Sequence, residues 1–340
     1  NNEQLNAYID EHWVEGLHNF ILIDEVQEIE SWEKSVRSYR TEEDTDIIIT
    51  GSNSKMLSSE LSTLIGGRYH EIYVQSLSYQ EFLLFHELED NDDALSKYIN
   101  YGGLPGLKQV GLDEEEFVWD YIRAVFHTVM LKDIVERNNI RNVSFLNTLL
   151  RYFADTIGKL SSLNNISKFM KSQGLDVSVK SIAAYLNYFR DAYLLLTVDR
   201  FDIHGKKLLE SNEKIYFGDV GLRNLIAGGE RQGDIEKILE NIVYQQLVRM
   251  GYAVSVGQLR AGEVDFVCTK SNERLYVQVA YLIASEETEE REFGSLDNIK
   301  DNYPKYVISM TPLVRRSDRQ GVVHLGVREF LKNGFEKKLP

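Results

Sequence analysis

Phe-Ile-Leu-Ile-Asp-Glu, residues 20–25, sets four apolar residues directly against two acidic ones. A continuous apolar run of this kind predicts a parallel strand buried on both faces. The acidic pair then marks the carboxyl edge of the sheet, outside which open α/β sheets bind their ligands. Working outward, Ile47-Ile48-Ile49-Thr50 is a second such run, closed by Gly51-Ser52-Asn53-Ser54, and Glu71-Ile72-Tyr73-Val74 a third, shorter one. Helical patterns over 3–16, 31–40 and 55–65 alternate with these runs, which predicts βαβ units and a parallel sheet.

Beyond Ser78 the texture becomes helical. Residues 79–85, 93–101 and 113–138 read as helices, interrupted by Gly102-Gly103-Leu104-Pro105-Gly106, a hinge or lid connection. Three further helices follow at 144–158, 163–173 and 178–189. A strand at 194–198 and a turn at Gly205-Lys206-Lys207 complete the order of a winged helix-turn-helix. Strands are expected at 253–256, 264–269, 275–283 and 305–310, with helices at 235–250, 298–303 and 327–333; the acidic patch 286–292 reads as a solvated helix start. The predicted fold class is α/β. Its parts are a partial P-loop NTPase parallel sheet (1–85), a helical lid (86–142), a winged helix-turn-helix (143–206) and a restriction-endonuclease-like α/β domain (207–340).

The 340 residues suffice for several domains with proper cores. A single cysteine, Cys268, excludes a disulfide framework and any cysteine-based zinc site. No apolar stretch approaches the roughly 20 residues of a membrane span, and no signal segment opens the chain, so a cytoplasmic setting without membrane contact is expected. The net charge of −15 argues against a general nucleic-acid coat. Residues 143–206 depart from it, with eight Lys/Arg against five Asp/Glu.

The acidic pair suits a P-loop ATPase, in which Asp24 would hold the Mg²⁺ of ATP and Glu25 would orient the attacking water. A polar side chain after the second strand, Ser52 or Asn53, could sense the γ-phosphate. Arg68, after Gly66-Gly67, could supply charge to the transferring phosphate. The phosphate loop itself, G-x-x-x-x-G-K-[ST], does not occur. The expectation is therefore the C-terminal portion of a longer protein, in which ATP and Mg²⁺ belong to the full-length parent and this chain alone does not hydrolyse ATP.

The combination of IDEVQEIESWEKSVR (23–37), IIITGSNSKMLSSELSTLIGGRYHEI (47–72) and SLSYQEF (76–82) resembles the prokaryotic AAA-type ATPases with a DUF4143 C-terminal region. VMLKDIVERNNIRN (129–142), KIYFGDVGLRN (214–224) and GEVDFV (262–267) extend the resemblance over nearly the whole chain. It implies that Asp24 and Glu25 are the Walker B pair and that Ser52 or Asn53 is the sensor. It also implies a winged helix followed by a nuclease-like domain.

Restriction-type nucleases combine an acidic residue on a helix, an Asp on a strand and a Glu/Gln-x-Lys on the next strand around a Mg²⁺ ion. Glu240, Asp265 and Gln278 fit that order as metal ligands, and Glu263 shares a sheet face with Asp265. Ala280 stands where the lysine belongs, so an inactive module is favoured over an active one. For double-stranded DNA, Lys180, Ser181 and Asn187 would face the groove from the third helix. Lys168 and Lys171 would flank it, and Lys206 and Lys207 would sit at the wing tip. The competing readings are a binding or assembly module acting on a protein partner or a homo-oligomer, and a Mg²⁺-dependent nuclease.

Overall fold

The computed structural model describes residues 1–52, 69–229, 232–260, 262–312, 317–319 and 321–336. Asn53, Arg68 and the helix expected over 55–65 lie outside them.

Helix α1 (Asn2–His12) starts at a capping box made by Asn1 and Gln4. Strand β1 (Asn19–Ile23), helix α2 (Trp32–Tyr39) and strand β2 (Thr45–Ile49) follow, and β1 and β2 pair in parallel from Asn19–Thr45 to Ile23–Ile49. Alternate residues Ile21, Ile23, Ile47 and Ile49 pack with Leu5, Val26, Trp32 and Val36 into a small core of their own. The opposite face departs from the expected two-sided burial. Phe20 is 65% exposed, Leu22 71% and Ile48 54%. An unbroken apolar run states that each residue can be buried; it does not supply the second covering layer. Residues 71–74 are not a third strand but irregular chain, with Ile72 and Val74 exposed. Their β-propensity has no partner edge to act on, and propensity without pairing does not make a strand.

A second body begins at Ser78, which caps α3 (Tyr79–His86) through a box with Glu81. Helices α4 (Asp92–Tyr101), α5 (Leu107–Val110) and α6 (Glu115–Thr128) follow, and α6 runs into a π-helix over Val129–Glu136. Next come α7 (Val143–Asp155), β3 (Leu160–Ser161), α8 (Leu163–Ser172), α9 (Val179–Asp191) and a hairpin of β4 (Leu195–Asp202) and β5 (Lys207–Phe217). The remaining elements are α10 (Val220–Ala227), α11 (Ile235–Arg249), β6 (Ala253–Gln258), β7 (Glu263–Lys270), β8 (Glu273–Ala280), α12 (Glu286–Asp297), β9 (Lys305–Ser309), β10 (Ser317–Arg319), β11 (Val322–Gly326) and α13 (Val327–Asn333).

All strands from β3 onward join one mixed sheet in the order β10-β11-β9-β8-β7-β6-β4-β5-β3. The hairpin is therefore not a free wing: Arg200–Asp202, at its tip end, pair in parallel with Val256–Gln258 of β6. The boundary expected at 206/207 falls in the turn of this hairpin. One face of the sheet shares a large core with the helices from α3 to α11. The other carries a smaller core, including Val264, Tyr276, Phe293 and Leu296, beneath α12. No helix forms over the expected 298–303, whereas the acidic patch from 286 does open one, which runs to Asp297. Ser285 caps it, and Glu286, Glu287 and Glu289 fill its first turn, where the helix dipole favours negative charge.

Candidate functional site

Two polar centres emerge, one at the end of β1 and one on the nine-stranded sheet. At the first, the Thr50 hydroxyl donates to Asp24 Oδ1 (2.5 Å) and accepts from the Glu25 amide (2.9 Å). Parallel pairing of β1 with β2 sets this registry, since it brings Thr50 level with the residues following Ile23. Glu25 takes a left-handed backbone, φ +46°, uncommon for a residue with a side chain and a mark of a locally constrained position. The Gln27 amide donates to the Glu25 carboxylate and to Ser52 Oγ (3.2 Å). Ser52 in turn donates to Asp133 Oδ1 (2.9 Å), on the π-helix, where Arg137 pairs with Asp133 at 3.3 Å. A continuous polar path thus leads from Glu25 into the helical region. The structure brings Asp24, Glu25 and Ser52 together. Gln27, Asp133 and Arg137 were missed, because the path that includes them closes only through the Ser52–Asp133 contact, 81 residues apart, which no local pattern reports.

The second centre is built on Lys214-Ile-Tyr-Phe-Gly-Asp-Val-Gly-Leu-Arg-Asn224. Nearly every polar side chain in this stretch is buried and satisfied. Asp219 caps α10 by accepting from the Gly221 and Leu222 amides, and also accepts from the Gly103 amide (2.8 Å) of the glycine-rich break. Arg223, fully buried, donates to the Ala154 carbonyl at the end of α7 and to Asp234 before α11. Asn224 donates to the carbonyls of Ile99 and Asn100 on α4. Gln245 and Asn241 of α11 donate to the Phe217 carbonyl. The motif is the knot that ties α4, α7 and α11 to the sheet. Its glycines follow from that role: a Cβ on Gly102 would lie 2.2 Å from Asp219 Oδ1.

From the head of this motif Lys214 reaches across the sheet. Its Nζ lies 2.8 Å from Glu240 Oε1, 2.9 Å from Glu263 Oε1 and 3.3 Å from Asp265 Oδ1. Tyr216, two residues on and on the same strand face, donates to Glu240 Oε1. Asp265 Oδ2 accepts from the Val279 amide (2.9 Å), its own amide donates to Gln278 Oε1 (3.3 Å), and Gln278 donates to Glu292 Oε2 (3.1 Å). Glu240, Asp265 and Gln278 thus do converge, beside a cavity of 480 Å³ lined also by Glu236, Glu263 and Glu292. Position 280 carries Ala, and the ammonium in contact with Glu240, Glu263 and Asp265 comes from a distant strand, β5. Reading Lys214 as a site residue from the chain would have required knowing that β5 lies against α11. A lysine in a strand otherwise signals solvent.

Burial alone would lower the Lys214 pKa, but Glu240, Asp265 and Glu263 outweigh it and raise it, keeping the ammonium charged. Burial, and then the charge of Asp265, push Glu240 up to about 7 against the pull of Lys214 and Tyr216. Asp265 is raised as well, by burial above all. A carboxyl whose folded pKa is raised stabilises the fold below its ordinary value and loses that contribution as pH climbs through the raised one. The thermal midpoint should therefore fall as pH rises from about 4.5 to about 7. The slope of this fall should be smaller in Glu240→Gln; an equal slope in both proteins would remove Glu240 as its source.

Among the described residues, no group of three or more His, Cys, Asp or Glu is arranged to hold a metal ion. The exposed Asp24 offers one carboxylate to a nucleotide-bound Mg²⁺, and the donor type suits that hard cation. Of the residues expected to touch DNA, Lys168, Lys180, Asn187, Lys206 and Lys207 are exposed. Lys171 pairs with Asp176 at 3.3 Å, and the Ser181 hydroxyl is engaged with Ser178, the cap of α9. Among the described residues no helix is long and apolar enough to cross a membrane.

Residues 1–83 match the AAA domain family, and residues 92–232 match a domain of unknown function, DUF8612, rather than the DUF4143 region expected from the motifs. An uncharacterized protein of Haemophilus influenzae is 38% identical over 294 residues, which cover 85% of this chain and 72% of that protein. The chain belongs to the same family as this Haemophilus protein. Uncharacterized protein MJ1544 of Methanocaldococcus jannaschii is 29% identical over 298 residues, covering 83% of this chain and 65% of its own. The chain thus spans only part of each of these relatives. The crystal structure of protein VC1899 from Vibrio cholerae aligns over 97% of this chain and 76% of its own at 14% identity, with a TM-score of 0.21, too low to bear on the fold. The DUF8612 match runs from α4 to just before α11, so α4–α10, the hairpin and the 214–224 knot fall within one matched stretch of sequence.

Proposed function

We propose that this chain is the C-terminal portion of an AAA-type ATP-binding protein that couples nucleotide state to binding of a nucleic acid or a protein partner. Asp24 would hold the Mg²⁺ that arrives with ATP, which neutralises phosphate charge. Glu25, half-buried and fixed by Gln27, would orient the attacking water. Ser52 stands between that edge and Asp133. The observation that carries the reading is the polar path Glu25–Gln27–Ser52–Asp133, because it gives the strand edge a physical connection to the helical region. The AAA match over 1–83 supports the same reading. For the output, the order α7-α8-α9 and then a hairpin, with Lys168, Lys180, Lys206 and Lys207 exposed, is the order expected of a winged helix, which supports nucleic acid. The acidic pairing of Lys171 and the anchoring of the hairpin to β6 favour a protein partner.

One experiment on the full-length protein tests this. Replacing Glu25 by Gln should lower ATP turnover by roughly 10²–10³-fold while leaving ATP binding intact, as expected for loss of a group that activates water. Unchanged turnover would sink the assignment of Glu25. In the same preparations, a gel shift of short duplex DNA across a salt series separates the two outputs: no shift even at low salt assigns the output to a protein partner.

A further inference from the structure

Metal-dependent phosphodiester hydrolysis requires carboxylate oxygens that converge on a divalent cation, and a lysine with a donor left for the phosphate or the water. On the nine-stranded sheet the carboxylates converge on an ammonium instead. Lys214 has three N–H donors and no acceptor. Three carboxylates lie within reach of them: Glu240 at 2.8 Å, Glu263 at 2.9 Å and Asp265 at 3.3 Å. Its hydrogen bonds go to Glu240 and Asp265, and Glu263 lies at ion-pair distance, so the ammonium is turned to carboxylates.

The oxygens are committed too. Glu240 Oε1 also accepts from Tyr216, and Asp265 Oδ2 accepts from the Val279 amide. Lys214 is 1% exposed, and its strand is held between β4 and β3. Withdrawing the ammonium would leave the buried carboxylates of Glu240 and Asp265 without a counter-charge.

We propose that Lys214 is the resident cation of this cluster, occupying the place a divalent ion would take, so that the site is an ion-paired joint fastening β5 to α11 and β7 and not a metal-dependent nuclease centre. A lysine that merely replaced the one missing at position 280 would assist from the edge of a metal site. Lys214 sits at the centre. The joint also explains why the cavity is rich in carboxylates while the described residues offer no metal-binding group.

The test is a Mn²⁺ titration of the full chain followed by electron paramagnetic resonance, on wild type, Asp265→Asn, Lys214→Ala and the Lys214→Ala/Asp265→Asn double variant. Wild type and Asp265→Asn should bind Mn²⁺ alike, through surface acids only. Lys214→Ala, which leaves three carboxylates around a vacated space, should gain a stoichiometric site at least about tenfold tighter than any in wild type, lost again in the double variant. A wild-type Mn²⁺ site that Asp265→Asn abolishes overturns the proposal, and so does a folded Lys214→Ala that gains none. Should Lys214→Ala not fold, the comparison of wild type with Asp265→Asn decides alone: equal binding upholds the joint, unequal binding refutes it.

Discussion

Replacing Arg223 by Met should lower the folding free energy by about 3–5 kcal/mol, the range for breaking a buried ion pair from one side. The guanidinium is fully buried and makes its bonds in three directions. Its Nε and Nη2 both reach the Ala154 carbonyl, at 3.0 and 2.9 Å, its Nη2 lies 2.6 Å from Asp234 Oδ2, and its Nη1 meets Asn224 Oδ1 at 3.3 Å. Methionine fills much of the same volume without donors. The Ala154 carbonyl then loses both partners inside the core, while Asp234 keeps Lys237 at 3.2 Å. Urea denaturation monitored by the circular dichroism of the helices measures the loss. A change below about 1 kcal/mol would mean that the 214–224 knot does not hold α7 to α11.

Gly221→Ala should be at least as damaging, for a steric and not an electrostatic reason. A Cβ at this position would lie 2.1 Å from the Tyr101 carbonyl oxygen and 2.6 Å from its carbon, both backbone atoms at the end of α4. Neither can rotate away, so α4 and α10 must separate, and Asn224 loses its bonds to Ile99 and Asn100. The expected cost is about 3 kcal/mol or more, at or beyond the upper end of ordinary overpacking. Gly233→Ala provides the control, since nothing lies within 4 Å of its Cβ position and its φ is not left-handed. It should change stability by less than about 0.5 kcal/mol. Similar effects at the two glycines would refute the close approach of α4 and α10.

What could be read along the chain was local. The apolar runs at 20–23 and 47–49 are strands, and the acidic pair that follows the first does stand at a carboxyl edge. The helices expected from 163 and 178 do begin there, capped by Ser162 and Ser178, and the acidic stretch from 286 opens one. The run at 71–74 failed because a strand needs an edge to pair with, and hydrophobic pattern carries no information about edges. The two-sided burial expected of β1 failed for a related reason: pattern reports which residues could be covered, not what covers them.

The candidate sites divide the same way. Asp24, Glu25 and Ser52 were visible because they sit at strand ends, and Glu240, Asp265 and Gln278 because acid, acid and amide recur in the order helix, strand, strand. Lys214, Asp133 and Arg223 were not, since each matters through a partner far along the chain, and Gln27 was not, since its bond to Ser52 depends on the pairing of β1 with β2. By itself the sequence showed most of the elements, the likeness of the N-terminal part to AAA domains and the residue types at both centres. Only the tertiary structure decided that an ammonium from β5 fills the carboxylate cluster and that the hairpin belongs to the sheet. Periodicity is written between neighbours on one strand or helix, whereas a counter-ion is chosen by whichever chain segment the fold brings within 3 Å or so.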